Sequence, residues 1–226
     1  MTPMRVIVNP GHKPGADPGA IGPTGLTEAE VALHIAHALL SLQDSDGLVR
    51  YEGRTQRGRS STLATVCRSL REHPPDILLS IHCNAADTNK CIHRADTIWW
   101  REDPDEERRR HSQRLAIVLA RSAVKANGIG YAADATAKTA PYSRRKADGS
   151  AVEFTPGILR ETARVAAVLI EVGFISDAHV EAAMRTVPWV RSCAAAIDRA
   201  VREFVGELAE VSEARSPRDG RRRRCW

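Results

Sequence analysis

Short apolar runs of strand length alternate along this chain with longer stretches of helical period, and that alternation leaves few folds open. Arg5–Asn9 and Asp76–His82 read as buried strands, and Ala166–Val172 as a third, strongly apolar one. Asp96–Trp100 adds another strand and Leu48–Tyr51 a weaker one. Between them, Glu28–Leu42 sets Val31, Ile35, Leu39 and Leu42 at helical spacing, with Thr27 and Glu30 positioned as a capping box at its start. Gly58–Glu72 reads as a second helix, stopped by Pro74 and Pro75. Glu106–Ala126 reads as a charged amphipathic helix and Trp189–Val211 as a terminal one. The pattern predicts an α/β fold: a single domain in which helices flank both faces of a largely parallel, twisted sheet. With 226 residues, 42% of them hydrophobic, the chain can bury one full core, so residues 1–211 are expected to form the domain.

Two stretches stand outside the alternation. Pro10–Thr27 carries five glycines and four prolines and reads as a long loop after the first strand. Gly128–Gly157 shows no periodicity, and an unstructured segment of that length within a compact domain reads as a lid. Residues 212–226 are expected to form a flexible tail. From Arg215 onward, six arginines against the single acid Asp219 carry all of the formal +5 charge, which leaves the body neutral. That neutrality, with only 4% aromatic residues, argues against specific nucleic-acid binding. No apolar run approaches the roughly 20 residues of a membrane-spanning helix. The first residues pass directly into a strand without the apolar core of a secretory signal, so the protein is expected to be held in the cytoplasm where it is made. Five cysteines, with no pair at the two-residue spacing of a metal or redox motif, fit reduced thiols.

Three polar residues fall at or just past the carboxyl ends of predicted strands, the edge where open α/β sheets bind ligands: His12, His82 and Glu171. Glu28 opens the helix after the glycine-rich loop. Its neighbour Glu30 has a structural task in the capping box, whereas Glu28 is free to point into the loop. A carboxylate and two imidazoles form a facial set of three ligands that suits zinc and leaves a fourth position open. Other groupings are weaker. His34 and His37 read as ordinary helix histidines, and His82, Cys83, Cys91 and His93 match no structural zinc spacing. The glycine-rich loop lacks the Gly-Lys-Ser/Thr ending of a phosphate-binding loop.

Taken in order, Asn9-Pro-Gly-His12, Asp17-Pro-Gly-Ala-Ile-Gly22, Gly25-Leu-Thr-Glu28, Ser80-Ile-His-Cys-Asn84 and Ile170-Glu-Val-Gly-Phe-Ile-Ser176 resemble the successive motifs of the type-3 N-acetylmuramoyl-L-alanine amidases, over about residues 5–205. The resemblance implies a phosphorylase/hydrolase-like fold and one zinc ion held by His12, Glu28 and His82, with Glu171 as the catalytic carboxylate. It implies bacterial peptidoglycan as substrate, cut between the lactyl group of N-acetylmuramic acid and the L-alanine of the stem peptide. Flanked by Val168-Leu-Ile and Val172-Gly-Phe, Glu171 should be partly desolvated, which raises its pKa. Asn84, Tyr142 and Arg144 are expected substrate contacts, with Tyr131 and Arg145 beside them in the lid. The sequence departs from the family at Asn9, where Asp is usual, at Lys13 and Pro14, where glycines are usual, and at Cys83, where alanine is common. Ala85–Ala95 is too short for the inhibitory helix of some cell-division members. The chain therefore looks like an unregulated, monomeric lytic enzyme of the phage endolysin kind, which reaches the wall once the membrane is breached. Its Arg-rich tail suits an anionic envelope polymer, in a salt-dependent way. The alternatives are another zinc amidohydrolase or carboxypeptidase, and a non-catalytic wall-binding module, against which the retention of all four polar residues argues.

Overall fold

The structure is a computed structural model that describes residues 3–42, 48–52, 63–86, 92–124, 131–140, 142–145, 150–160 and 163–215. Six strands form one sheet: β1 (Met4–Pro10), β2 (Leu48–Glu52), β3 (Ile77–Asn84), β4 (Arg94–Trp100), β5 (Asp134–Ala140) and β8 (Ala166–Phe174). Their order is β2-β1-β3-β8-β4-β5. The pairings β1 with β2, β1 with β3, β3 with β8 and β4 with β5 are parallel, and β4 meets β8 antiparallel. The sheet is thus largely parallel, as expected, but mixed. Only nine residues join Asn84 to Arg94, fewer than the dozen or so that a parallel crossover takes. β4 therefore starts at the rim where β3 ends and runs back.

Strand alternation sorts the side chains onto two faces. Val6, Val8, Ile77, Leu79, Ile81, Val168 and Ile170 pack beneath α1 (Glu28–Leu40), α3 (Glu106–Ala123) and α6 (Val187–Arg215). On the other face Ile7, Leu78, Ile98, Ala167 and Leu169 pack under α2 (Leu63–Glu72) and α4 (Gly157–Arg160). Continuing that second face towards the carboxyl ends of β1, β3 and β8 gives Asn9, His82 and Glu171 in place of apolar residues. The less thickly covered face therefore turns polar at one rim.

The expected lid over Gly128–Gly157 is corrected in part. Within it lie β5, which completes the sheet, and a hairpin of β6 (Tyr142–Arg145) and β7 (Ala151–Phe154). β5 has no apolar alternation because it is an edge strand whose residues are small or polar and half exposed. α4 and α5 (Ala178–Met184) are too short to carry a readable period. α6 extends past both expected ends, to Arg215, while residues 58–62 and 216–226 lie outside the described residues. Among the described residues no helix is long and apolar enough to cross a membrane.

Candidate metal centre

The site starts where β1 ends. Gly11 still donates its backbone N–H to Ile81 O at 2.7 Å, and the chain then turns at His12, whose φ of 56° is left-handed and uncommon for a residue with a side chain. A tight turn follows, closed by Lys13 N to Asp17 O at 2.7 Å. It returns the Asp17 carboxylate to His12, with Oδ1 3.0 Å from Nδ1. The other ring nitrogen, Nε2, then faces Glu28 Oε2 at 3.3 Å.

Glu28 and Glu30 divide their tasks as the sequence suggests. Thr27 and Glu30 form the reciprocal capping box, with Glu30 Oε2 accepting Thr27 N–H at 3.0 Å. Glu28 is buried and turns inward. Its carboxylate accepts the backbone N–H of Ala20 at 2.9 Å and of Cys83 at 3.0 Å, and meets His82 Nδ1 at 2.9 Å. One ligand atom each from His12, Glu28 and His82 lie within 4.8 Å of one another, and no other such group of three occurs among the described residues. Cys91 lies outside the described residues. The thiol of Cys83 belongs to the packed opposite face, so it takes no part.

The loop's glycines are dictated by this convergence. A Cβ on Gly11 would stand 2.5 Å from the His82 ring. One on Gly19, itself at φ 68°, would stand 2.5 Å from Glu28 Oε2 and 2.6 Å from the His12 ring. The donor set, two imidazoles and one carboxylate converging from three elements, fits a zinc ion. The electrostatics fit a cation too. Burial alone would raise the pKa of Glu28, but hydrogen bonds from His12 and His82 outweigh it and hold the carboxyl well below its usual range. His12 is lifted from 6.5 to about 9, first by its hydrogen bond to Glu28 and against the effect of burial.

Glu171 lies between two neighbours on the polar face, in register with His82 of β3 and Asp96 of β4. Its Oε2 is buried without a hydrogen-bond partner. Burial above all, then the negative charges of Glu28 and Asp96, push its pKa up to about 8. A carboxyl group raised to about 8 exchanges its proton near neutral pH, the property a general acid–base group needs.

The remaining expected contacts are less uniform. Asn84 sits at the end of β3, where its Oδ1 accepts Ala85 N–H at 2.8 Å. Tyr142 and Arg144 lie on β6, and their side chains are outside what is described, as is that of Arg145. Tyr131 is corrected: it is 3% exposed and packs edge-on against Trp189, as core rather than as contact surface. Asn9 pairs with Ser80 Oγ at 3.4 Å, and Asp17 takes the place behind His12, so the departure at Asn9 leaves that ring supported.

Three residues at or near the site escape a reading by spacing. Asp17 and Asp96 are two. The third is Glu181 of α5, fully buried, which accepts Thr24 N–H at 2.9 Å, the Thr24 hydroxyl at 2.8 Å and Leu26 N–H at 3.0 Å. It fastens the loop just before Glu28 from more than 150 residues away in sequence. A buried acid in the first turn of a short helix carries no signal until its partners are known.

A sequence profile described as N-acetylmuramoyl-L-alanine amidase matches residues 6–203. No curated protein sequence matches significantly. Among solved structures, the chain is similar to an N-acetylmuramoyl-L-alanine amidase from Clostridium difficile 630, with a TM-score of 0.71 at 23% identity, covering 91% of this chain and 98% of that one. It is similar to an amidase of Nostoc punctiforme, with a TM-score of 0.70 at 18% identity over 90% and 97% of the two chains. It also resembles the catalytic domain of an endolysin targeting Clostridia difficile, with a TM-score of 0.60 at 16% identity over 88% and 97%. At these identities the structural likeness is one of fold.

Proposed function

Because the chain belongs to the N-acetylmuramoyl-L-alanine amidase family, we propose that it is a zinc-dependent hydrolase cutting the amide between the lactyl group of N-acetylmuramic acid and the L-alanine of the peptidoglycan stem. The observation that carries this reading is the convergence of His12, Glu28 and His82 ligand atoms within 4.8 Å, beside an unpartnered buried carboxylate oxygen of Glu171. His12 and His82 would hold the ion by imidazole nitrogen and Glu28 by carboxylate oxygen. When bound, zinc supplies Lewis acidity, making an amide carbonyl more electrophilic and a water more acidic.

The protein's own residues perform the rest. Asp17 holds the Nδ1 side of His12 and so presents Nε2 inward, fixing the ring as an outer-shell partner does. The backbone N–H groups of Ala20 and Cys83 fix the Glu28 carboxylate. Glu171 takes the proton of the attacking water at its carboxylate and returns it to the departing alanine nitrogen. All four side chains come from one chain, so a monomer suffices. The Arg-rich segment past Arg215 would hold the enzyme to an anionic envelope polymer. Loss of salt-sensitive binding to sacculi on deleting residues 216–226 is the measure of that part.

Digestion of purified peptidoglycan followed by mass spectrometry tests the reaction. Free stem peptides with an unblocked alanine amine, alongside intact glycan, are expected, and the activity should vanish with a chelator and return with zinc. New reducing sugar ends, or cleavage within the stem, would overturn the assignment.

A further inference from the structure

One strand beyond Glu171, on the same face, a single buried carboxylate holds two cations. Asp96 is 1% exposed and is the register partner of Glu171. Its Oδ2 accepts Lys138 Nζ at 2.7 Å, its Oδ1 accepts the Thr136 hydroxyl at 2.5 Å, and Arg94 Nε lies 3.3 Å from Oδ1. The Arg94 guanidinium also lies over the Phe174 ring, 5.3 Å from its centroid. Pairing a buried aspartate requires one cation. Here there are two, with side chains 37% and 40% exposed, so against Asp96 itself one positive charge is in excess and reaches solvent beside Glu171.

The place of that charge matters. His82, Glu171, Asp96 and Thr136 are successive register partners across β3, β8, β4 and β5. Neighbouring strands lie about 4.8 Å apart, so the cations stand roughly 5–10 Å from the carboxylate that moves the proton. An extended peptide advances about 3.3–3.6 Å per residue, so that interval spans the second to third residue of a chain leaving the cut bond.

We infer that Arg94 and Lys138, held by Asp96, form a carboxylate-recognising subsite for the stem-peptide side of the substrate. The inference rests on the peptidoglycan reading above. Arg94 offers a planar fork, stiffened by Phe174, that matches a carboxylate, and Lys138 adds a point charge. Asp96 keeps both from folding back over Glu171 and sets their spacing. The metal-binding side of the rim would thus engage the scissile amide while the β4–β5 side selects what is attached to it.

The experiment compares two soluble muramoyl peptides, one with free stem carboxylates and one with those carboxylates amidated, on zinc-loaded enzyme. The unmodified protein should favour the free-carboxylate compound in kcat/KM by about fivefold, mostly through KM, the upper end of what a half-exposed charge pair provides. The preference should shrink with added salt. Lys138→Met should bring the ratio to within about twofold of unity and Lys138→Arg should restore it. A merely structural loss would lower both substrates alike and leave the ratio unchanged, so a surviving ratio in Lys138→Met, or no preference in the unmodified protein, overturns the subsite. If neither compound is cut, the peptidoglycan reading itself falls, and the subsite with it.

Discussion

Glu171 and His12 show how far single side chains are tuned by what surrounds them. Replacing Glu171 with Gln keeps the shape but removes the base, so Glu171→Gln should bind zinc normally by chelator competition and lose roughly 10²–10⁴ in kcat. Undiminished turnover would remove Glu171 from the mechanism. For His12 the sign follows from the rise to about 9 that Glu28 and Asp17 produce, against 6.5 for an ordinary histidine. Its hydrogen bonds contribute stability that is complete below about pH 6.5 and is lost as pH rises through about 9. A bound cation needs neutral His12, so zinc uptake near neutral pH should release up to about one proton. Calorimetry in buffers of different ionisation enthalpy reads this directly, and uptake without proton release would contradict it. The four chief candidates were legible in the sequence because each follows or ends an apolar strand or opens a capped helix. Asp96 was not, because its meaning lies in Lys138 and Thr136, some 40 residues downstream and adjacent only once β4 and β5 pair.

At the scale of elements, the metal loop is held from outside itself. The Glu181 carboxylate of α5 gathers Thr24 and Leu26, and the next residues, Thr27 and Glu28, begin the helix that points a carboxylate inward. Glu181→Gln would turn one of the two acceptor oxygens into a donor facing these N–H groups, costing about 1–3 kcal/mol. It should also weaken zinc retention, by less than the roughly 10–100-fold of a direct outer-shell loss, because Glu181 holds the loop rather than a ligand. Chemical denaturation and competitive chelation measure the two effects. Full zinc affinity in a folded variant would show that the clamp is dispensable. β1, β3 and β8 were readable because strands covered on both sides are nearly continuous apolar runs. β5 and the direction of β4 were not, because an edge strand needs little hydrophobicity and direction follows from loop length.

For the molecule as a whole, the metal joins parts that are distant in sequence. His12, Glu28 and His82 tie β1, α1 and β3 at one point, so stability should depend on the ion by mass action. At a zinc concentration a thousandfold above Kd the gain is about 4 kcal/mol. In a chain of this size that corresponds to roughly 8–16 °C in Tm. A chelator titration followed by calorimetry should show that loss, and an unchanged Tm would mean no ion is bound there. The single α/β domain was visible from alternation alone, since strands and helices separated by short connections have few ways to pack. The sheet's mixed character has a separate consequence. At the working rim β1, β3 and β8 arrive while β4 and β5 depart, and β5 is entered from α3 rather than from a strand that leads into the metal site. Length changes in the segment entering β5 would then alter the β4–β5 side of the rim while the ion-holding loops stay untouched, which makes that segment suited to grafting new selectivity from one scaffold to another.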